Sequence, residues 1–166
     1  MPEMEITTFQ SFVESPIGLL TIKSDGKAVN YIGFDKDDAM ENACEVSIIA
    51  QKQLLEYFAG QRQVFDFPIA QTGTDFQQNV WTTLLSISIG KPISYTALSK
   101  RMNNPLAIRA IASANGKNKL MIVVPCHRVI GSKGELVGYA GELWRKKWLL
   151  EHEARMTNTG QSALIF

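Results

Sequence analysis

The sequence predicts an α/β protein in two parts: a small antiparallel sheet with a helix, then a mainly helical unit. Three features carry that reading. Asp25-Gly26 separates two stretches of strand character, the composition of a tight hairpin. Thr74-Asp75-Phe76-Gln77 has the pattern of a capping box and opens an apolar series at helical spacing. Ala107, Ala110, Ala112, Ser113, Ala114 and Gly116 make a further helix with almost no side-chain bulk.

In chain order, residues 5–14 alternate in part as a first strand, and Ser15-Pro16-Ile17-Gly18 turns. Residues 19–23 and 29–34 supply the second and third strands. A helix is predicted over 48–58, where Leu54 and Phe58 sit one turn apart and Gly60 is a stop. Residues 61–74, with Pro68 and Gly73, form a junction. The expected organisation is an α/β domain over 1–68, a second domain over 69–155, and a tail over 156–166 to which no role is assigned.

The second domain starts with Phe76, Val80, Trp81, Leu84 and Leu85 on one helix, ended by Gly90 and Pro92. Ser94 caps a helix over 95–102, and Asn104-Pro105 restarts the chain as cap and first helical position for a helix over 105–115. Short helices joined by tight turns suggest a helix-turn-helix. The small residues of its last helix admit two readings, close packing against a neighbour or entry into a narrow groove of DNA. Residues 120–124 are a buried strand or core loop that delivers Pro125-Cys126-His127. Val129 and Ile130 are a short strand, Gly131, Gly134, Gly138 and Gly141 punctuate a loop, and a last helix covers 142–154.

Composition narrows the function classes. The chain has 166 residues, the length of one ordinary domain or of a small domain fused to a compact one, and at 45% apolar and 20% charged it has enough apolar surface for a real core. Its formal charge is +1, so contact with nucleic acid needs a local basic patch, for which Lys100, Arg101, Arg109, Lys117 and Lys119 qualify. Two cysteines make no disulfide framework, and two histidines without a CxxC pair argue against structural zinc. Residues 1–10 lack the apolar run of a signal peptide, and no stretch approaches the roughly 20 apolar residues of a membrane span. The expected setting is soluble, reducing and intracellular, where a free thiol survives.

Cys126 is followed directly by His127. A nucleophilic cysteine needs its thiolate, hence a nearby base, and a histidine base needs an orienting carboxylate. Glu151 and Glu153 are the candidates, each also readable as a solvated helix-end residue, while Cys44 reads as a packing element. A cysteine hydrolase is the alternative class. Against it, His152 is the only other histidine and no oxyanion-hole pattern is visible.

The segment Pro125-Cys126-His127-Arg128-Val129-Ile130-Gly131 resembles the active-site motif of the O6-alkylguanine-DNA alkyltransferases, the methylated-DNA–protein-cysteine methyltransferases. The resemblance runs over most of 65–153, through Gly73-Thr74-Asp75-Phe76-Gln77, Val80-Trp81, Ile93-Ser94-Tyr95, Gly138-Tyr139-Ala140-Gly141 and Trp148-Leu149-Leu150-Glu151-His152-Glu153. Ser15-Pro16-Ile17-Gly18-Leu19-Leu20 and Tyr57-Phe58-Ala59-Gly60 are similar to that family's variable first domain.

The resemblance implies a ribonuclease-H-like first domain and a winged-helix-like helix-turn-helix in the second. It implies irreversible, single-turnover transfer of the alkyl group from O6-methylguanine, and from O4-methylthymine, to Cys126 after base flipping. In its terms His127 takes the thiol proton through a water, Glu153 orients His127, and Asn118 braces the turn before the nucleophile. Tyr95 protonates the leaving guanine. Val129, Tyr139 and the backbone N–H of Ala140 border the substrate pocket, with carbonyls near Cys126 and Val129 accepting from the exocyclic amine of guanine. Arg109 fills the gap left by the extruded base, and Ala110, Ser113, Ala114, Lys119 and Arg128 lie with it on the DNA surface. The partner implied is double-stranded DNA gripped through the minor groove by a monomer. No cofactor, metal or membrane takes part, and the setting is cytoplasmic, bacterial in type, with use at the nucleoid. One departure stands out: Asn118-Lys119 replaces the family's Asn-Pro, which bears on the turn and offers Lys119 to a phosphate.

Overall fold

The computed structural model describes residues 7–35 and 40–158 and divides into two compact units, Met1–Gln71 and Thr72–Phe166. In the first, β1 (Phe9–Ser15), β2 (Gly18–Ser24) and β3 (Val29–Gly33) form an antiparallel sheet in the order β1-β2-β3. The Asp25-Gly26 hairpin forms as expected. Gly26 takes φ +96°, a region that only glycine enters freely, and the Asp25 carboxylate accepts from the N–H groups of Lys27 and Ala28. Leu20, Ile22 and Ile32 are fully buried on the sheet, and α1 (Glu45–Phe58) covers them with Ala50, Leu54 and Tyr57.

The helix α1 begins three residues before its expected start at 48. Its N-cap is Cys44, whose N–H bonds the Ser47 hydroxyl at 2.9 Å, and cysteine is not a residue type that announces a cap. The first strand starts at Phe9, and residues 5 and 6 of its expected span lie outside the described residues.

The second unit contains α2 (Asp75–Leu84), β4 (Ile93–Ser94), α3 (Tyr95–Arg101), α4 (Ile108–Gly116), β5 (Val129–Ile130) and α5 (Leu143–Thr157). Thr74 and Gln77 form the capping box reciprocally, at 3.1 and 3.0 Å. Gly73 approaches Trp81 so closely that a Cβ there would lie 2.6 Å from the indole ring. Helix α2 stops at Leu84, before the expected Gly90, because the N–H groups of Leu85, Ser86 and Ile87 turn to carbonyls three residues back.

Helix α3 is capped by the Ser94 hydroxyl, as expected, but α4 starts at Ile108 rather than Pro105. Asn103 adopts φ +53° and Ala107 N–H bonds the Asn104 carbonyl, so residues 104–107 close a turn before the helix begins. Residues 120–124 are buried in hydrogen-bonded turns, with Ile122 at φ +73°, which settles the choice between strand and core loop in favour of the loop. The two-residue strands β4 and β5 pair in parallel, Ile93 opposite Val129 and Ser94 opposite Ile130. Helix α5 runs to Thr157, three residues past its expected end, and residues 159–166 of the tail lie outside the described residues. Among the described residues no helix is long and apolar enough to cross a membrane.

Candidate active site

Cys126 opens a single 3₁₀ turn, Cys126–Arg128, closed by Arg128 N–H on the Pro125 carbonyl at 3.0 Å. The loop before it is stapled by one side chain. Asn118 accepts from Leu120 N–H at 3.0 Å and donates to the Val124 carbonyl at 2.8 Å, so the backbone arrives at Cys126 in one geometry. That bracing needs no proline after Asn118.

The turn points His127 and Arg128 at α5. His127 Nε2 lies 2.9 Å from Glu153 Oε2, while Arg128 Nε and Nη2 donate to the two Glu153 oxygens at 2.8 and 3.0 Å. Arg128 Nη1 donates to the Ile87 carbonyl at 2.9 Å. Burial alone would raise the carboxyl pKa of Glu153. His127 and Arg128 outweigh it and hold the group well below the usual carboxylate range. An ionised Glu153 only accepts, so His127 carries its proton on Nε2. Nδ1 is left as the basic nitrogen, and it is buried with no hydrogen-bond partner in the protein.

Cys126 is 5% exposed. Burial pushes its thiol up from the ordinary value, against lowering by a hydrogen bond from Asn118 and the charge of Lys146. Burial also pushes His127 down, more than Glu153 pulls it up. The resting pair is therefore a neutral thiol beside a neutral imidazole. The nearby base that a cysteine nucleophile needs is in place, but the buried, low-dielectric site penalises the thiolate until that base takes the proton.

Above the sulfur is a pocket lined by Tyr95, Asn115, Asn118, Cys126, Tyr139 and Ala140. The β4–β5 pairing puts Tyr95 there, since it follows Ser94, the partner of Ile130. Burial raises the pKa of Tyr95, and raises that of Tyr139 much further, so both are neutral donors at neutral pH. Val129 is fully buried, and its carbonyl already accepts from Lys146 Nζ at 2.6 Å.

Arg109, Ala110, Ser113 and Lys119 are exposed, as a DNA-facing set requires. Two expected members of that set are not. Ala114 is 3% exposed, packed in the helix interface where its carbonyl accepts from Trp81 Nε1 at 2.9 Å. Arg128 is 8% exposed and spends its guanidinium on Glu153 and Ile87. The small-residue helix packs against its neighbours through Ile111 and Ala114, in line with the first of its two readings, and leaves Arg109, Ala110 and Ser113 outward.

Sequence reasoning missed Asn115 and Lys146. Asn115 is lost among small residues, and Lys146 reads as one more basic residue on an amphipathic helix. A fully buried lysine has no signal in the sequence except its place on the inner face of α5, one turn before Leu149 and Leu150. Among the described residues no group of three or more His, Cys, Asp or Glu side chains is placed to hold a metal ion.

A family model described as the DNA binding domain of 6-O-methylguanine DNA methyltransferase matches residues 75–155. A methylated-DNA–protein-cysteine methyltransferase of Methanosarcina acetivorans is 40% identical over 153 residues, covering 87% of this chain and 97% of the relative. One of Mycobacterium tuberculosis is 40% identical over 152 residues, covering 85% and 89%. The crystal structure of the Mycobacterium tuberculosis O6-methylguanine methyltransferase superposes with a TM-score of 0.83 at 36% identity, covering 94% of this chain and 98% of that one. A structure described as Mycobacterium tuberculosis OGT in complex with DNA gives 0.81 at 38% identity, covering 90% and 93%.

Proposed function

The chain belongs to the family of methylated-DNA–protein-cysteine methyltransferases, and from that premise we propose that Cys126 takes the alkyl group of O6-methylguanine in DNA, and of O4-methylthymine, and keeps it. The observation that carries this reading is a buried thiol at the floor of a pocket, followed in the chain by a histidine whose far nitrogen is fixed by Glu153.

The steps follow from the protonation states. His127 Nδ1, through a bridging water, takes the Cys126 proton as the sulfur attacks the alkyl carbon. The S–C bond forms as the C–O6 bond breaks, and the bonding pair stays on guanine. Glu153 and Arg128 hold the imidazole so that the charge it gains meets a fixed carboxylate. Tyr95 gives its proton to the departing base, and solvent carries the imidazolium proton back to the phenolate. The sum is thiol plus alkylguanine to thioether plus guanine, which balances without a cofactor. Water does not cleave a thioether under these conditions, so the protein acts once.

The alkyl carbon is inside a stacked duplex, so the base must leave the stack at a cost of a few kcal/mol. In this reading α3 and α4 act as a winged-helix-like helix-turn-helix, with Arg109, Ala110 and Ser113 entering the minor groove of double-stranded DNA and Lys119 at a phosphate. Arg109 fills the vacancy of the extruded base. The N-terminal unit is taken as ribonuclease-H-like, and the acting species as a monomer in the cytoplasm, at the nucleoid of a bacterial-type cell.

Intact-mass analysis after incubation with an O6-methylguanine oligonucleotide tests the reading. One methyl group gained per protein, mapped to Cys126 and absent in Cys126→Ala, is the expected result. Tight binding without covalent change would instead make the protein a lesion-binding module, and sustained turnover would exclude a suicide reaction.

A further inference from the structure

Asn115 occupies the last turn of α4 and is 4% exposed. Its Nδ2 donates to the Tyr95 hydroxyl at 3.2 Å and to the Cys126 carbonyl at 3.4 Å. A carbonyl oxygen can only accept, so the contact with Cys126 fixes the orientation of the amide: the amino group faces both partners. The Tyr95 oxygen therefore receives a hydrogen bond, and its own proton must point elsewhere. Among the described residues Tyr95 makes no other hydrogen bond, so nothing in the protein competes for that proton. The pocket is the remaining direction.

We propose that Asn115 is a positioning residue for alkyl transfer, committing the Tyr95 proton to the leaving base while tying Tyr95 to the backbone of the nucleophile. This rests on the reading of Tyr95 as proton donor. A second observation separates it from a packing role. Asn115 Oδ1 is buried with no hydrogen-bond partner in the protein. A leucine would fill the same space without stranding an acceptor, so the amide is costly to the fold and is explained by what its other end does. The link also sets geometry, because the proton donor and the sulfur-bearing residue are held by one nitrogen. Burial, which raises Tyr95, keeps its hydroxyl protonated throughout the neutral range.

The test is a double-mutant cycle on single-turnover transfer from an O6-methylguanine oligonucleotide, using Asn115→Leu, Tyr95→Phe and the double variant. Asn115→Ala replaces the leucine variant if that fails to fold. Two controls run beside it: melting temperature, and the rate at which iodoacetamide alkylates Cys126, which needs no proton donor. Losing one orienting hydrogen bond should slow transfer roughly five- to tenfold in Asn115→Leu. The double variant should be no slower than Tyr95→Phe, with iodoacetamide rates unchanged. If the two losses multiply independently, or iodoacetamide slows in parallel with transfer, Asn115 acts on the turn or the thiol and the inference is overturned. If Tyr95→Phe transfers at the full rate, the proton-donor reading of Tyr95 itself has failed, an outcome distinct from the first two.

Discussion

Lys146 Nζ lies 2.6 Å from the carbonyl oxygen of Val129, with the lysine fully buried. The same nitrogen donates to the carbonyls of Val137 and Gly138 at 2.9 and 3.1 Å. One ammonium thus clamps the glycine-rich loop beside the pocket to β5 of the nucleophile motif. Its three protons meet three carbonyls, which compensates for burying the charge.

Replacing this clamp by Lys146→Met keeps the stem and removes every donor. Stability should fall by about 2–4 kcal/mol, since three carbonyls, that of Val129 fully buried, lose a charged partner. Alkyl transfer should slow more than the change in stability explains, because Tyr139 and Ala140 follow Gly138 in the freed loop. Urea unfolding and single-turnover kinetics on the same preparation measure both, and an unchanged rate would remove the loop from the argument. Burial lowers Lys146 to about 8. The unfolded chain then holds more protons between pH 8 and the ordinary lysine value, so the Lys146 contribution to stability rises across that window. The difference between wild type and Lys146→Met should follow that sign.

Glu153→Gln leaves Arg128 and His127 without a carboxylate. Transfer should slow by about 10²-fold if His127 acts as general base, and the buried, unpaired guanidinium should cost about 3–5 kcal/mol. The folded carboxyl pKa is depressed, so the stability that Glu153 supplies is complete above the ordinary carboxylate value and drains away as pH falls below it. Wild type should therefore lose stability on acidification more steeply than the variant. Parallel acid profiles would show that Glu153 is not linked to folding.

The two cysteines should separate by reagent. Burial tends to raise the half-buried Cys44 thiol, but hydrogen bonds from Ser47 outweigh it and lower the pKa, whereas burial dominates at Cys126 and raises it. Iodoacetamide at neutral pH should label Cys44 first, while methyl from O6-methylguanine should appear on Cys126 alone. Peptide mapping reads both, and preferential iodoacetamide labelling of Cys126 would mean its thiolate is already formed at rest.

Arg109→Ala should slow repair of a duplex lesion strongly and of a single-stranded lesion weakly, since only the duplex leaves a gap to fill. Equal losses would reduce Arg109 to a source of charge. The net charge is +1, so if Lys100, Arg101, Lys117 and Lys119 form the basic surface that meets DNA, log affinity should fall with log salt at a shallow slope, roughly 0.9 per contact. A steep slope would point to a basic surface larger than this one.

Local chemistry in the sequence announced the Asp25-Gly26 turn, the Thr74–Gln77 capping box and the Ser94 cap, because each is a short-range hydrogen-bond pattern written by neighbouring residues. It also singled out Cys126 with His127 and left Glu151 and Glu153 as candidate carboxylates; the family resemblance added Asn118 and chose Glu153. The structure brings these four together through Asn118 on the preceding loop and Glu153 on α5. Helix starts at Glu45 and Ile108 were misjudged, since one uses a cysteine cap and the other has no side-chain cap. Tertiary structure alone decided which charges are spent inside. Arg128 and Lys146 look like surface cations in the sequence, yet the fold buries both against oxygens contributed by Ile87, Val129, Val137, Gly138 and Glu153. Periodicity cannot foretell this. A buried cation is stable only where distant segments converge their acceptors on it, and that convergence exists only once the chain has folded.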